Sequence, residues 1–464
     1  MVGQPLLVNI LAVPATAFII RALGAEQYGQ WAVATALVAA FFALTSMGLR
    51  PIFVRELAQC PESTSEALSL QLGLRGVLGI VSGAAALCLC LLLGYPTVIL
   101  LSAGIMVGAF LMGNFWTVFT DVLQAAEQFK TIAFINVVSG VSLTAVSVLA
   151  VIAGVGPVGL AASYLVGPFL RLTFGWSAVR KITPVRFGWQ LNIFGRLLKE
   201  SRFMAGQQAF QILQGHIEQI IVPKLVGIAP FGYLAAGSMP ADRLRFIPEG
   251  IASSYYPAIV RDQKESAAAA GRTAGQLIML CVISCIPIAV LVSFFAGPIA
   301  ELLFPNDSEV CRSVLRTTIW AVPLFGLTLP MSYSLQAAGR YSEAAKSVMW
   351  GCLVSMGVTI ALVSIGGLQG ACWAWIARQS IIAAALTPEY VRTFPAVRLP
   401  FVRIAACAAV MFALLWSLHL SHMRVIPEIG AGGMLGGAVY LASLIVLKVI
   451  PSRVIRQLFR RPAG

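Results

Sequence analysis

Gln207, Gln211, Gln214 and Glu218 are spaced 4, 3 and 4 apart within one apolar run, which places them on one face of a helix. Amides both donate and accept hydrogen bonds, and a carboxylate in an apolar run needs a cation or a proton. Such a face can line a wet cavity and hold a coupling ion at Glu218. It can equally be hydrogen-bonding glue between helices, with Glu218 paired to an arginine. Both readings are open. A second group, Asp242, Arg243, Arg245 and Glu249, surrounds Pro240 and Pro248. It is either an intramembrane set on a kinked helix or the polar end of a span that stops near Ser238. Arg50 and Arg55 close an earlier apolar run, where snorkelling to the interface also accounts for them. Guanidinium groups hold phosphate in a two-pronged grip. Arg50, Arg55, Arg243 and Arg245, with Gln207, Gln211 and Gln214, are therefore the candidate contacts to an anionic, polar ligand. Glu218 and Asp242 are the candidate coupling-ion sites.

The elements that position these residues follow from composition. The chain has 464 residues, 59% hydrophobic and 11% charged, with a mean hydropathy of +0.87. Soluble domains carry about 25% charged residues, so this is an all-α polytopic membrane protein. The apolar runs are continuous, without the alternation of a β-barrel. Runs free of charge at Gly76–Thr120 and Thr131–Leu170 are each divided by a glycine–proline turn, Gly94-Tyr-Pro96 and Gly154-Val-Gly-Pro157. Reading the whole chain this way gives about fourteen spans.

With both ends placed in the cytoplasm, all 32 basic residues fall inside except Arg21, Lys224, Arg312, Arg316 and Arg424. This is the positive-inside pattern, and it accounts for the net charge of +14 without nucleic acid. The nine cysteines form no CxxC pair and the three histidines complete no ligand set, so neither a metal nor a cofactor is expected. No GxxxxGK[ST] stretch is present, which excludes a self-contained ATP-driven pump.

The chain also repeats. Arg21-Ala-Leu-Gly-Ala-Glu-Gln-Tyr-Gly-Gln-Trp31 returns as Lys224-Leu-Val-Gly-Ile-Ala-Pro-Phe-Gly-Tyr-Leu234, an offset of 203. Leu123-Gln-Ala-Ala126 returns as Leu335-Gln-Ala-Ala338, an offset of 212, and Gly156-Pro-Val-Gly is echoed at Gly367-Leu-Gln-Gly, an offset of 211. Two six-helix lobes in parallel orientation are expected, residues 1–179 and 203–388, with a basic linker at 180–202. Residues 389–464 add two helices and a basic tail.

Three stretches carry a family resemblance: Arg21-Ala-Leu-Gly-Ala-Glu-Gln-Tyr-Gly29, Met47-Gly-Leu-Arg-Pro-Ile-Phe-Val-Arg-Glu56 and Val226-Gly-Ile-Ala-Pro-Phe-Gly-Tyr233. Together they resemble the polysaccharide, or lipid-linked oligosaccharide, flippases of the multidrug/oligosaccharidyl-lipid/polysaccharide (MOP) exporter superfamily. The resemblance implies an alternating-access transporter rather than an enzyme, V-shaped between two lobes, with a cationic central cavity. Its implied cargo is an oligosaccharide on an undecaprenyl pyrophosphate-type carrier, moved from the cytoplasmic to the outer leaflet of a bacterial inner membrane. Arg21 and Arg50 fall at matching motif positions, Glu218 where members often place an acid, and Arg245 more loosely. Arg21 and Lys224, at the two predicted outer turns, become outer-gate candidates. The implied partners are the membrane, the lipid-linked oligosaccharide, a polysaccharide polymerase and glycosyltransferases, and a monomer would suffice. Three alternatives stand beside this reading. They are a cation-coupled multidrug exporter, a lipid II flippase and, from another class, a membrane-embedded polysaccharide polymerase or ligase.

Overall fold

The computed structural model describes residues 3–46, 64–184, 215–394, 401–419 and 435–446, except 441 and 445. Every regular element among them is a helix. The elements are α1 (Gly3–Ala43), α2 (Thr64–Leu92), α3 (Thr97–Ala125), α4 (Phe129–Ile152), α5 (Gly156–Ser163) and α6 (Val166–Val179). After α7 (residues 215–225) come α8 (Ile228–Leu244), α9 (Phe246–Glu265), α10 (Ala267–Phe294) and α11 (Ala296–Leu303). They are followed by α12 (Ser308–Thr318), α13 (Ala321–Ala337), α14 (Tyr341–Thr393) and α15 (Phe401–His419). Among the described residues seven helical segments are long and apolar enough to cross a membrane, counting α5 with α6 and α12 with α13 as one each. The longest, α14, has 53 residues and breaks at Gly367, so it holds two of the expected spans.

These runs become helices because a membrane leaves the backbone no other partner than itself. Their ends are written locally. Pro96 precedes α3 and Pro157 sits in the first turn of α5, where a missing N–H costs nothing. Ser266, extended, accepts from the Ala269 amide at 3.1 Å and starts α10, a cap whose loss costs about 1 kcal/mol. The outward faces are apolar: Ile80, Phe134, Ile152, Trp350 and Ile365 are all more than half exposed. That much open hydrocarbon suits lipid rather than water.

The chain falls into two compact units, Met1–Ala235 and Ala236–Gly464. In the first, Leu68, Leu72, Trp116, Phe119, Leu123, Ile135 and Val179 knit α2, α3, α4 and α6 together. In the second, Leu277, Cys281, Val348, Ile382, Tyr390 and Phe394 do the same for α10 and both halves of α14.

Backbone conformation recurs with the sequence repeat. Gly24 and Gly227 both have positive φ, 71° and 122°, and so do Gly156 and Gly367, 66° and 52°. The Leu-Gln-Ala-Ala pair ends two helices in the same way. After α3, the Gln128 amide donates to the Leu123 carbonyl at 2.8 Å and the Glu127 amide to Gln124 at 3.0 Å. After α13, Arg340 donates to Leu335 at 2.9 Å and Gly339 to Gln336 at 3.0 Å. This doubled closure requires a left-handed residue. The second copy supplies Gly339 at φ 79°, whereas the first uses Glu127 at φ 56°, the single non-glycine with positive φ among the described residues. Because a side chain in that conformation costs about 1 kcal/mol, Glu127→Gly should raise the thermal stability of purified protein and Gly339→Ala should lower it. Equal melting temperatures for wild type and both variants would refute the shared cap.

Candidate functional site

The sequence candidates divide between the two units. Arg50, Arg55, Gln207, Gln211 and Gln214 lie outside the described residues. In the first unit, Glu218 is 2% exposed on α7, with His216 Nδ1 in contact with Gln219 Oε1 one turn away. A carboxyl so deep in an apolar bundle is one that a proton or cation can act on.

Lys224, at the far end of α7, has defined partners. Its Nζ donates to the Leu93 carbonyl and stands 4.3 Å from the centre of the Tyr95 ring. Leu93 follows the last residue of α2, so the ammonium meets the negative end of a helix and an aromatic face together. Burial first, and Cys90 second, push the Tyr95 phenol up to about 12, so the ring stays neutral under the cation. Arg21 is exposed, three residues before the break in α1 at Gly24. The two copies of the repeated motif, both within the first unit, touch through their second glycines. A Cβ on Gly29 would collide with the Ile228 carbonyl oxygen and come within 3.2 Å of the Gly232 nitrogen. One on Gly232 would collide with the Ala25 carbonyl and come within 3.2 Å of the Gly29 nitrogen. Only glycine lets α1 and α8 approach so closely.

Sequence reasoning missed a buried polar chain in this unit. Arg75 Nη2 stands 3.9 Å from Asp121 Oδ2, with the two side chains 8% and 0% exposed. Arg75 Nη1 also donates to the Thr117 hydroxyl, which donates to the Asn114 carbonyl at 2.6 Å. The Thr45 hydroxyl is shared between the Phe42 carbonyl, 2.6 Å away, and Asn114 Oδ1, 2.9 Å away. The chain thus links the end of the α1 segment to α2 and α3. Its signal was present: Asn114, Thr117 and Asp121 are spaced 3 and 4, the spacing used above for Gln207, Gln211, Gln214 and Glu218.

In the second unit, Asp242, Arg243, Arg245 and Glu249 are exposed around the joint between α8 and α9. The helix carries on across it: the Arg245 amide donates to the Asp242 carbonyl and the Glu249 amide to the Arg245 carbonyl, both at 3.3 Å. The Arg245 guanidinium lies 5.6 Å from the centre of the Phe325 ring. Tyr333 is within electrostatic reach of Glu249 and Arg245, and Tyr256 meets its ring edge-on at 6.4 Å. The Tyr256 and Tyr341 hydroxyls are 2.8 Å apart. Cations, an acid and phenol hydroxyls on neighbouring helices can hold an anionic group and stack or hydrogen-bond a sugar. Arg378, 6% exposed and 5.0 Å over the Trp375 ring, is a buried cation that the sequence reading had merely counted as inside.

Comparison with known proteins places this architecture. The family model described as "Polysaccharide biosynthesis protein" matches residues 18–311. Among solved structures, the lipid II flippase MurJ in an inward closed conformation aligns with a TM-score of 0.73 at 13% identity, covering 98% of this chain and 99% of that one. An inward-facing multidrug resistance MATE transporter aligns at 0.56 and 16% identity, covering 82% and 93%. A MOP transporter from Pyrococcus furiosus aligns at 0.53 and 16%, covering 84% and 92%. A search of curated sequences finds no match. At these identities the structures establish a shared fold, and the family model extends over more than half of the chain. This multi-pass membrane protein belongs to the polysaccharide biosynthesis protein family and shares its fold with the lipid II flippase MurJ and MATE transporters.

Proposed function

We propose that the protein moves an oligosaccharide carried on an undecaprenyl pyrophosphate-type lipid from the cytoplasmic to the outer leaflet of a bacterial inner membrane. The observation that carries this reading is the family match over residues 18–311. The excess of basic residues in the short loops supports placing both termini in the cytoplasm. In this reading Arg50, Arg55, Arg243 and Arg245 neutralise the pyrophosphate, since guanidinium matches phosphate geometry. Tyr256 and Tyr333, with the Gln207, Gln211 and Gln214 face, contact the glycan. Glu218 is the coupling carboxyl, with Asp242 as a second, and access alternates between the two leaflets as Glu218 gains and loses its proton or cation. Arg21 and Lys224 act at the outer end. The glycosyltransferases that build the cargo and the polymerase that consumes it are the natural neighbours in this scheme.

The test is flipping by purified protein in liposomes loaded with a defined lipid-linked oligosaccharide. Wild type should move it. Arg245→Ala and Glu218→Gln should each reduce the rate at least tenfold at equal protein incorporation. A protein that moves lipid II and ignores the oligosaccharide would replace this cargo with the nearest alternative. Wild-type rates in both variants would remove these two residues from the site.

A further inference from the structure

On the first unit, α2, α3 and α6 enclose a cleft of about 480 Å³ lined by Leu72, Phe115, Phe119, Leu172, Trp176 and Arg180, with Thr173 and Ser177. It lies within one unit and shares no residue with the transport candidates. Trp176 meets Phe119 edge-on at 6.1 Å. Beside them Gly175 lets α6 close on α3, where a Cβ would be 2.8 Å from the Trp116 ring.

Phe169, Thr173, Trp176 and Arg180 are all exposed, and their spacing of 4, 3 and 4 makes them one continuous face of α6. That face is largely apolar for two turns and then ends in a cation. Lys181 follows, also exposed, and no acidic residue occurs between Val166 and Pro184. The Ser65 hydroxyl donates to the Pro184 carbonyl at 3.1 Å. The start of α2 and the chain leaving α6 are therefore tied together at the same end of the bundle. An apolar cleft beside a membrane-spanning helix, with an aromatic wall and two bases at its polar end, has the layout of a lipid: hydrocarbon below, anion above.

We propose that this cleft is a binding site for an anionic glycerophospholipid, one acyl chain lying against Trp176 and Phe115 and the phosphate held by Arg180 and Lys181. The charge is what selects the occupant. A zwitterionic lipid brings its own cation to the two bases, and a free anion leaves the apolar wall bare.

The experiment follows the melting temperature of the full-length protein in neutral detergent as phosphatidylglycerol is added. Phosphatidylcholine and inorganic phosphate are run in parallel. Phosphatidylglycerol should raise the melting temperature saturably and the other two should not. Each base near a membrane surface contributes about fivefold in affinity, so Arg180→Gln with Lys181→Gln should raise the half-saturating concentration by about 30-fold. Thr173→Trp, which fills the cleft at an exposed position, should abolish the shift while keeping both bases. Equal shifts from phosphatidylcholine, or saturation unchanged in the double variant, would overturn headgroup recognition. A shift produced by inorganic phosphate alone would reduce the site to an anion site. A full shift in Thr173→Trp would remove the acyl chain from the cleft.

Discussion

Gly232→Ala is expected to lower the melting temperature of the purified protein sharply, and Gly29→Ala to do the same. One added methyl group does this because of what it meets. On Gly232 it would strike the Ala25 carbonyl oxygen and lie 2.9 Å from the carbonyl carbon. On Gly29 it would strike the Ile228 carbonyl oxygen. Backbone atoms have no alternative rotamer, so α1 and α8 would have to move apart and give up their mutual contacts. Overpacking costs about 1–3 kcal/mol, and a collision with main chain belongs at the upper end. Gly104→Ala is the control, since nothing lies within 4 Å of its added Cβ. As a helical glycine it should gain about 0.5–1 kcal/mol. A melting temperature for Gly232→Ala equal to that of Gly104→Ala would show that the two helices do not meet at these glycines.

A larger loss is expected from breaking the buried pair. Asp121→Ala removes the carboxylate that faces the Arg75 guanidinium inside the bundle. Removing one partner of a buried pair costs about 3–5 kcal/mol. Arg75→Ala takes the cation away from the buried Asp121 carboxylate and should be about as damaging. Replacing both, Arg75→Met with Asp121→Leu, removes both desolvated charges and should recover most of the loss. Folded yield and melting temperature in detergent would read the cycle. Single losses that simply add in the double variant would mean that the two groups are not coupled.

That pair also shows where sequence reading stopped. The charge-free runs, their glycine turns and the repeat were all visible, because lipid demands uninterrupted apolar helices and a left-handed turn demands glycine. Gly24, Gly94, Gly154 and Gly367 each take positive φ where a boundary was expected. Asp121 was invisible for a related reason. The charge-free run ended at Thr120, so the acid one residue later fell outside it, yet α3 continues to Ala125. Arg75 was counted only among the basic residues on the inside. Partners 42 and 69 residues apart, Arg75 with Thr117 and Thr45 with Asn114, leave no local mark. The stretch Arg21–Trp31 was expected as a turn, but it is helix on both sides of a break at one residue, Gly24. For the polar group at 242–249, hydropathy could not separate an early end from a continuing helix, and the chain carries on into α9.

The change of offset in the repeat, from 203 to 212, has a physical address. Between α2 and α3 the chain turns in four residues, 93–96, whereas between α10 and α12 it takes thirteen, 295–307, and builds α11 there. The nine extra residues are the whole difference. The two copies of the repeat share motifs and a helix cap, but the stretches around them are not interchangeable parts. A chimera made of two first halves would lack α11, whereas the exposed Pro305-Asn306-Asp307 stretch beside it is where an added epitope would disturb the molecule least.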